Sequence, residues 1–245
     1  MARSGVNGLA SPGLTSFTEE QSVMHSTKIS DFATETRLYA YGPREPLALV
    51  PGSFAHVVID MQYGFMPGGI IPVAGNPAII PNINRISAAV RRAGGRNIFV
   101  RFTYDPTWTV YYGRLADGRE ARMEAAFSDG AEQHALVADL DVMADDVLLN
   151  KKRFSSFTPG TCDLESCLRS AGIDTLIVTG CTSSCCVEST IRDGMQLNFK
   201  TIFVGDANVT LNDAYHNGAV DNLFGIFGTD LCMTDEILDR LPVTA

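Results

Sequence analysis

Two cysteines in tandem, Cys185 and Cys186, follow a short apolar run, TLIVTG at 175–180, and a turn of small residues, CTSS. They open the stretch CVESTIRDGMQL, in which Val187, Ile191 and Met195 recur every four residues and Glu188 stands four before Arg192. That is the spacing of an amphipathic helix with an internal ion pair. Cys186 is therefore expected at a helix N-terminus, where the helix dipole and free backbone N–H groups favour a thiolate and can hold the oxyanion of a tetrahedral intermediate. Asp60 ends another apolar run, FAHVVID, and an acid there is costly without a partner. Lys151 closes a third, VLLNK. Singly, each has an ordinary reading: a small buried hydrophobe, a strand-end cap, a solvated lysine of KKR. Together they bring a thiol, a carboxylate and an ammonium to three strand ends, the set needed for thiol activation, proton delivery and charge stabilisation.

The elements that must position these groups can be read from periodicity. Short β-branched runs at 54–60, 97–102, 147–150, 175–180 and 201–205 read as buried parallel strands. Between them PNINRISAAVRRAGG, where Ile79 just ahead of it and Ile83, Ile86 and Val90 recur at helical spacing before Gly94 and Gly95, and CDLESCLRSAG, with Leu164, Cys167 and Leu168 on one face, read as helices. Alternating strands and helices imply right-handed crossovers and an α/β fold of three layers, α-β-α, around a central, mainly parallel sheet. Ligands bind such sheets outside the carboxyl ends of the strands, where Asp60, Lys151 and the Cys-rich turn fall. Residues 1–50, rich in Ser, Thr, Gly and charge, read as an arm that is at most part-helical and could pack on a neighbouring subunit; residues 51–245 read as one domain. Within it, 104–146 is a long helical excursion suited to a lid or an oligomer contact.

A chain of 245 residues with 45% hydrophobic content suits a single large core. A net charge of -9 provides no field for gathering phosphates, which excludes nucleic acid and anionic membrane surfaces as expected partners and leaves a small molecule. No run approaches the roughly 18 apolar residues of a membrane span, and the N-terminus lacks the apolar core of a signal peptide, so a cytoplasmic protein with reduced cysteines is expected.

Three motifs, VVIDMQYGF at 57–65, KKRFSSF at 151–157 and TGCTSSCCVESTIRDG at 179–194, resemble in order and spacing those of the isochorismatase-like cysteine hydrolases. The likeness covers about residues 54–240. It implies a Rossmann-like topology, the catalytic set Asp60, Lys151 and Cys186, and a non-proline cis peptide between Cys181 and Thr182 that aims the Thr182 and Cys186 N–H groups at the oxyanion. It places Cys185 where the family is usually aliphatic, and it implies a homodimer or homotetramer.

The in-frame cysteine points to acyl chemistry, since several isochorismatases proper, which cleave a vinyl ether, lack it. The region after the second strand, FVRFTYDPTWTVYYGRL, has none of the histidines with which nicotinamidases bind metal, and His25, His56, His134 and His216 show no ligand spacing. These four read as surface or packing residues; no metal and no other cofactor is expected. There is no G-x-S-x-G, G-x-G-x-x-G or P-loop. The metal-free amidohydrolases of ureido, carbamoyl and amide compounds remain, near ureidoacrylate, N-carbamoylsarcosine and maleamate amidohydrolases. Gln62, Phe65, Tyr104, Trp108 and Phe157 are the candidate substrate-binding residues, with Trp108 equally able to be a core or interface aromatic. Two alternatives stay open: a hydrolase of an enol ether, and a catalytically silent scaffold.

Overall fold

A computed structural model describes residues 25–28, 44–115 and 118–243. Six strands form its sheet: β1 (Phe54–Ile59), β2 (Arg96–Phe102), β3 (Val147–Lys151), β4 (Thr175–Cys181), β5 (Lys200–Val209) and β6 (Asp230–Cys232). Their order is β3-β2-β1-β4-β5-β6, and every pairing is parallel. The chain leaves β1 in one direction through β2 and β3, then returns to β1's other side with β4. The crevice between β1 and β4 is thus the switch point of the sheet, where an open parallel sheet leaves room for a ligand.

Seven helices connect the strands among the described residues: α1 (Asn76–Arg92), α2 (Thr109–Leu115), α3 (Arg119–Phe127), α4 (Leu164–Ser170), α5 (Glu188–Gln196), α6 (Asp213–Gly225) and α7 (Thr234–Arg240). Every residue of β1 and β4 is buried, which explains their unbroken apolar sequences. Successive side chains point to opposite faces. Phe54, Val58 and Ile177 therefore pack with Ile83, Ile86 and Val90 of α1 and Ile237 of α7, whereas Ala55, Val57, Leu176 and Val178 pack with Leu164 and Leu168 of α4 and Ile191 of α5. Burial of each such side chain is worth about 1.5–3 kcal/mol.

α1 starts at Asn76, three residues before Ile79 of the helical pattern, and keeps Pro81 inside. Pro77 presets the first turn, and Asn76 Nδ2 anchors it by donating to the Phe65 carbonyl at 2.7 Å, so a single lost backbone hydrogen bond at Pro81 is tolerated. β6 escaped the sequence reading because a three-residue strand, DLC, shows no periodicity. β5 runs four residues beyond its expected end, through a register shift against β4 between Val178 and Gly180. Gly180, at φ 115°, is required there, since a Cβ would lie 2.1 Å from the Ile59 carbonyl oxygen.

The excursion after β2 is helical, as expected: α2, α3 and a short 3-10 turn, Glu132–His134. Most of the expected N-terminal arm, including any helix in it, lies outside the described residues. Residues 25–28 have no regular secondary structure and dock on the loop after β5 and on α6. No helix among the described residues is long and apolar enough to cross a membrane.

Candidate active site

Asp60 is the first residue beyond β1 and takes φ 55°, a left-handed conformation that Asp tolerates better than most side chains but still at some cost. Lys151 is the last residue of β3, which is separated from β1 by β2. The lysine therefore reaches across the end of β2, with its Nζ 5.3 Å from the centre of the Phe102 ring. It arrives 2.8 Å from Asp60 Oδ2, with the two side chains 0% and 1% exposed. Nζ also donates to the Arg153 carbonyl at 3.1 Å. Neither Asp60 oxygen receives a well-aligned hydrogen bond, so the Lys151 contact is an ion pair that leaves acceptor capacity free. A buried carboxylate left in that state is a ready proton acceptor.

Cys186 enters from the other side of the switch point. The peptide bond joining Cys181 to Thr182 is cis. Ser183–Val187 then form a single π turn ahead of α5, with the Cys185 and Val187 N–H groups both donating to the Thr182 carbonyl, at 3.0 and 3.2 Å. Single π turns of this kind recur at functional sites. The Cys186 side chain is buried beside Asp60 and Lys151, close enough for each to act on its thiol.

The electrostatics differ from those expected for a helix N-terminus. Contact with the Cys185 sulfur and burial hold the Cys186 thiol well above the ordinary value, Lys151 opposing them only in part, and the same contact holds the Cys185 thiol down. A thiol so placed keeps its proton unless a base takes it. Burial raises the Asp60 carboxyl as well, against the pull of Lys151 and of the Cys186 thiol beside it, which suits it to accept a proton. Burial alone would lower Lys151, but the Asp60 charge overcomes this and raises it, so the ammonium stays charged.

An aromatic wall stands beside the thiols. Trp108 lies flat on Tyr111 with ring centres 4.1 Å apart, and Phe154 meets both edge-on, at 4.8 and 5.2 Å. The Tyr111 phenol is pushed up to about 12 by burial and then by Cys185 and Cys186. Arg153 covers the outer face of Trp108, 5.1 Å from the ring centre, and is fixed by Asp105 at 2.8 Å. Burial would raise the Asp105 carboxyl, but hydrogen bonds from Arg153 and Thr107 bring it down to about 2. Trp108, Arg153 and Phe154 also line an open cavity of about 450 Å3 that extends along Ser189 and Arg192 of α5. Tyr111, Phe154 and Asp105 escaped the sequence reading. Asp105 carries the signal that betrayed Asp60, an acid just beyond an apolar strand.

The remaining expected pocket residues are placed differently. Gln62 is 0% exposed: its Nε2 donates to the Phe102 and His134 carbonyls at 3.0 and 2.8 Å, and its Oε1 accepts from the Phe102 N–H at 2.8 Å. It braces the end of β2 against the excursion and has no donor left for a ligand. Phe65 packs in a buried cluster with Phe127 and Phe102. Phe157 packs on Phe199 in the core beneath α5. Tyr104 is half-buried, with its hydroxyl donating to Glu120 at 3.2 Å. Among the five, Trp108 alone stands in the wall beside the thiols. Gln62→Met is expected to destabilise the fold by about 2–4 kcal/mol in urea denaturation, since three buried backbone groups lose their partners. Lost turnover with unchanged stability would return Gln62 to the pocket.

Of the histidines, His56 bonds Ser87 and Thr179, and burial pushes it down to about 3; His134 bonds Thr103; His216 bonds Ser183. All three are buried. Among the described residues no group of three or more His, Cys, Asp or Glu side chains is arranged to hold a metal ion.

A three-layer α/β protein with an acid, a lysine and a cysteine gathered at the switch point of a parallel sheet is the class this geometry defines. The chain belongs to the isochorismatase family, whose domain model matches residues 54–235. It is similar to the ureidoacrylate amidohydrolase RutB of Pseudomonas savastanoi pv. phaseolicola (strain 1448A), 32% identical over 214 residues that cover 78% of this chain and 86% of that one. RutB of Variovorax paradoxus (strain S110) is 31% identical over 222 residues, covering 82% and 86%. Among solved structures, a cysteine hydrolase from Pseudomonas syringae pv. phaseolicola 1448A superposes with a TM-score of 0.73 at 25% identity, covering 82% of this chain and 97% of that one. N-carbamoylsarcosine amidase from Thermoplasma acidophilum shares the fold, with a TM-score of 0.62 at 23% identity and coverage of 75% and 97%.

Proposed function

We propose that this protein hydrolyses a C–N bond of a small ureido, carbamoyl or amide compound through a thioester on Cys186. The observation that carries the reading is the buried Asp60–Lys151 pair, 2.8 Å apart, with the Cys186 side chain buried beside it. Asp60 takes the thiol proton while Lys151 balances the negative charge. The thiolate adds to the carbonyl carbon, and the Thr182 and Cys186 N–H groups hold the oxyanion. The intermediate collapses as Asp60 returns its proton to the departing ammonia or amine. Water, deprotonated by Asp60, then cleaves the thioester and releases the acid and the Cys186 thiol. The similarity to ureidoacrylate amidohydrolases favours a ureido substrate, and the wall of Trp108, Tyr111 and Phe154 suits a flat, conjugated one.

The test is ammonia release from ureidoacrylate, N-carbamoylsarcosine, maleamate, biuret and nicotinamide by the purified protein. Ureidoacrylate is expected to give the highest kcat/KM. Turnover of none of the five would count against the reading.

A further inference from the structure

The turn that carries the nucleophile is held from outside by side chains with no part in the chemistry above. Ser183, fully buried, shares a hydrogen bond with His216 Nδ1 at 2.9 Å, and Ser184 shares one with Thr210 Oγ1, also at 2.9 Å. Both partners lead to the same short piece of chain. His216, fully buried on α6, meets Thr27 Oγ1 through its Nε2 at 3.0 Å, 189 residues away in sequence. Thr210, just beyond β5, has its carbonyl 2.9 Å and its N–H nitrogen 3.1 Å from His25 Nε2, which makes one of the two bonds according to its protonation, and His25 Nδ1 lies 2.6 Å from Asp213. The Lys28 N–H donates to Asn217 Oδ1 at 2.8 Å, and Asn217 Nδ2 donates back to the Ser26 carbonyl at 3.1 Å.

The sheet makes room for this segment. A Cβ on Gly205 of β5 would stand 2.6 Å from Thr27 Oγ1, so the bare position is what lets Thr27 approach. Burial, and next the neighbouring His25, pushes His216 down to about 4. Its imidazole is therefore neutral, a donor at one nitrogen and an acceptor at the other, and can bridge the two hydroxyls.

We propose that the segment His25–Lys28, acting through His216 and Thr210, clamps the Thr182–Cys186 turn, so that Thr27 and His216 are positioning residues for the amides that hold the oxyanion. The proposal rests on the amidohydrolase reading for its catalytic meaning. Donors to an oxyanion must be held to within about 0.5 Å to be effective, and a turn at a strand-to-helix junction has few bonds of its own to hold it there. The clamp supplies them from the far end of the chain.

The test uses the full chain with Thr27→Val, which keeps the shape and loses the hydroxyl, Gly205→Ala, which displaces the segment, and Thr27→Ser, which restores the bond. Two readouts are taken: kcat and KM on the amide found in the screen, and backbone hydrogen exchange across residues 181–187. Thr27→Val and Gly205→Ala are expected to lower kcat about 5- to 30-fold with KM within about twofold, since a misplaced donor weakens the transition state more than the ground state. Exchange over 181–187 should quicken about tenfold while that of β4 stays the same, and Thr27→Ser should behave as the wild type. Unchanged exchange in the turn overturns the proposal, whatever the melting temperature does. So does a fall in melting temperature with kcat intact. If the wild type releases ammonia from no amide, the amidohydrolase reading has failed, and the exchange comparison decides the clamp alone.

Discussion

Cys186→Ala is expected to reduce ammonia release on the order of 10^4-fold or more, with the far-ultraviolet circular dichroism and melting temperature close to those of the wild type. The size follows from the chemistry proposed: without the thiol no covalent intermediate forms, and a water molecule would have to attack the carbonyl directly. The small structural effect follows from the site, because the substitution deletes one sulfur and leaves the Asp60–Lys151 pair intact. Cys186→Ser separates two chemistries. A thioester route loses nearly all activity with the less acidic hydroxyl, whereas an enol-ether hydrolase that does not use the cysteine keeps it. Cys185→Ala gives the control. It removes the sulfur contact that is the first cause holding the Cys186 thiol up, and is expected to preserve turnover. Loss of activity in Cys185→Ala together with its retention in Cys186→Ala would move the nucleophile to the neighbouring residue.

Lys151→Met is expected to be the most damaging single change, costing about 3–5 kcal/mol near pH 8 as well as turnover, because it strands the Asp60 carboxylate in the interior. The loss should depend on pH, with a definite sign. Burial already raises the Asp60 carboxyl against the opposing pull of Lys151. Without the ammonium it rises further above its unfolded value. The folded protein then binds more protons than the unfolded chain, so stability is retained below the ordinary carboxylate range and declines as pH rises through the folded value. Urea denaturation of the variant at pH 5 and pH 8 should show the lower midpoint at pH 8. In the wild type Lys151 is itself raised above the usual lysine value, so its contribution is complete throughout that window and is lost only in strong alkali. Equal midpoints for the variant at the two pH values would mean that Asp60 is solvated rather than buried.

The class of fold was legible because its signal is local. β1 and β4 are buried on both faces, so their sequences are unbroken apolar runs, and α4 and α5 bury one face each, so their apolar residues recur at helical spacing. Asp60 and Lys151 stood out as charges at the ends of such runs, and Cys186 as a thiol at a strand-to-helix turn. The residues legible only in part were those whose role depends on a distant neighbour. Gln62 lies two residues after Asp60 and was expected at the ligand, yet its amide closes onto Phe102 and His134. Phe157 sits in the same motif as Lys151 and faces Phe199 in the core. Nothing in Tyr111 or Phe154 alone foretold the stack with Trp108, which needs α2 folded back over the loop after β3.

By itself the sequence determined the residue types at the three strand ends, the alternation of strand and helix, and an acid–lysine–cysteine set with no histidine ligand pattern. Only the tertiary structure decided that β4 returns to the free side of β1, which makes their junction the switch point, and that Lys151 crosses β2 to reach Asp60. It alone decided the state of the thiol. A helix N-terminus read from sequence implies a thiolate, but the proton balance at Cys186 is set by burial and by the Cys185 sulfur, both products of packing. The reason is one of range: apolar periodicity is fixed by a few neighbouring residues, whereas ionisation and side-chain partnership depend on groups brought within a few ångströms by the fold.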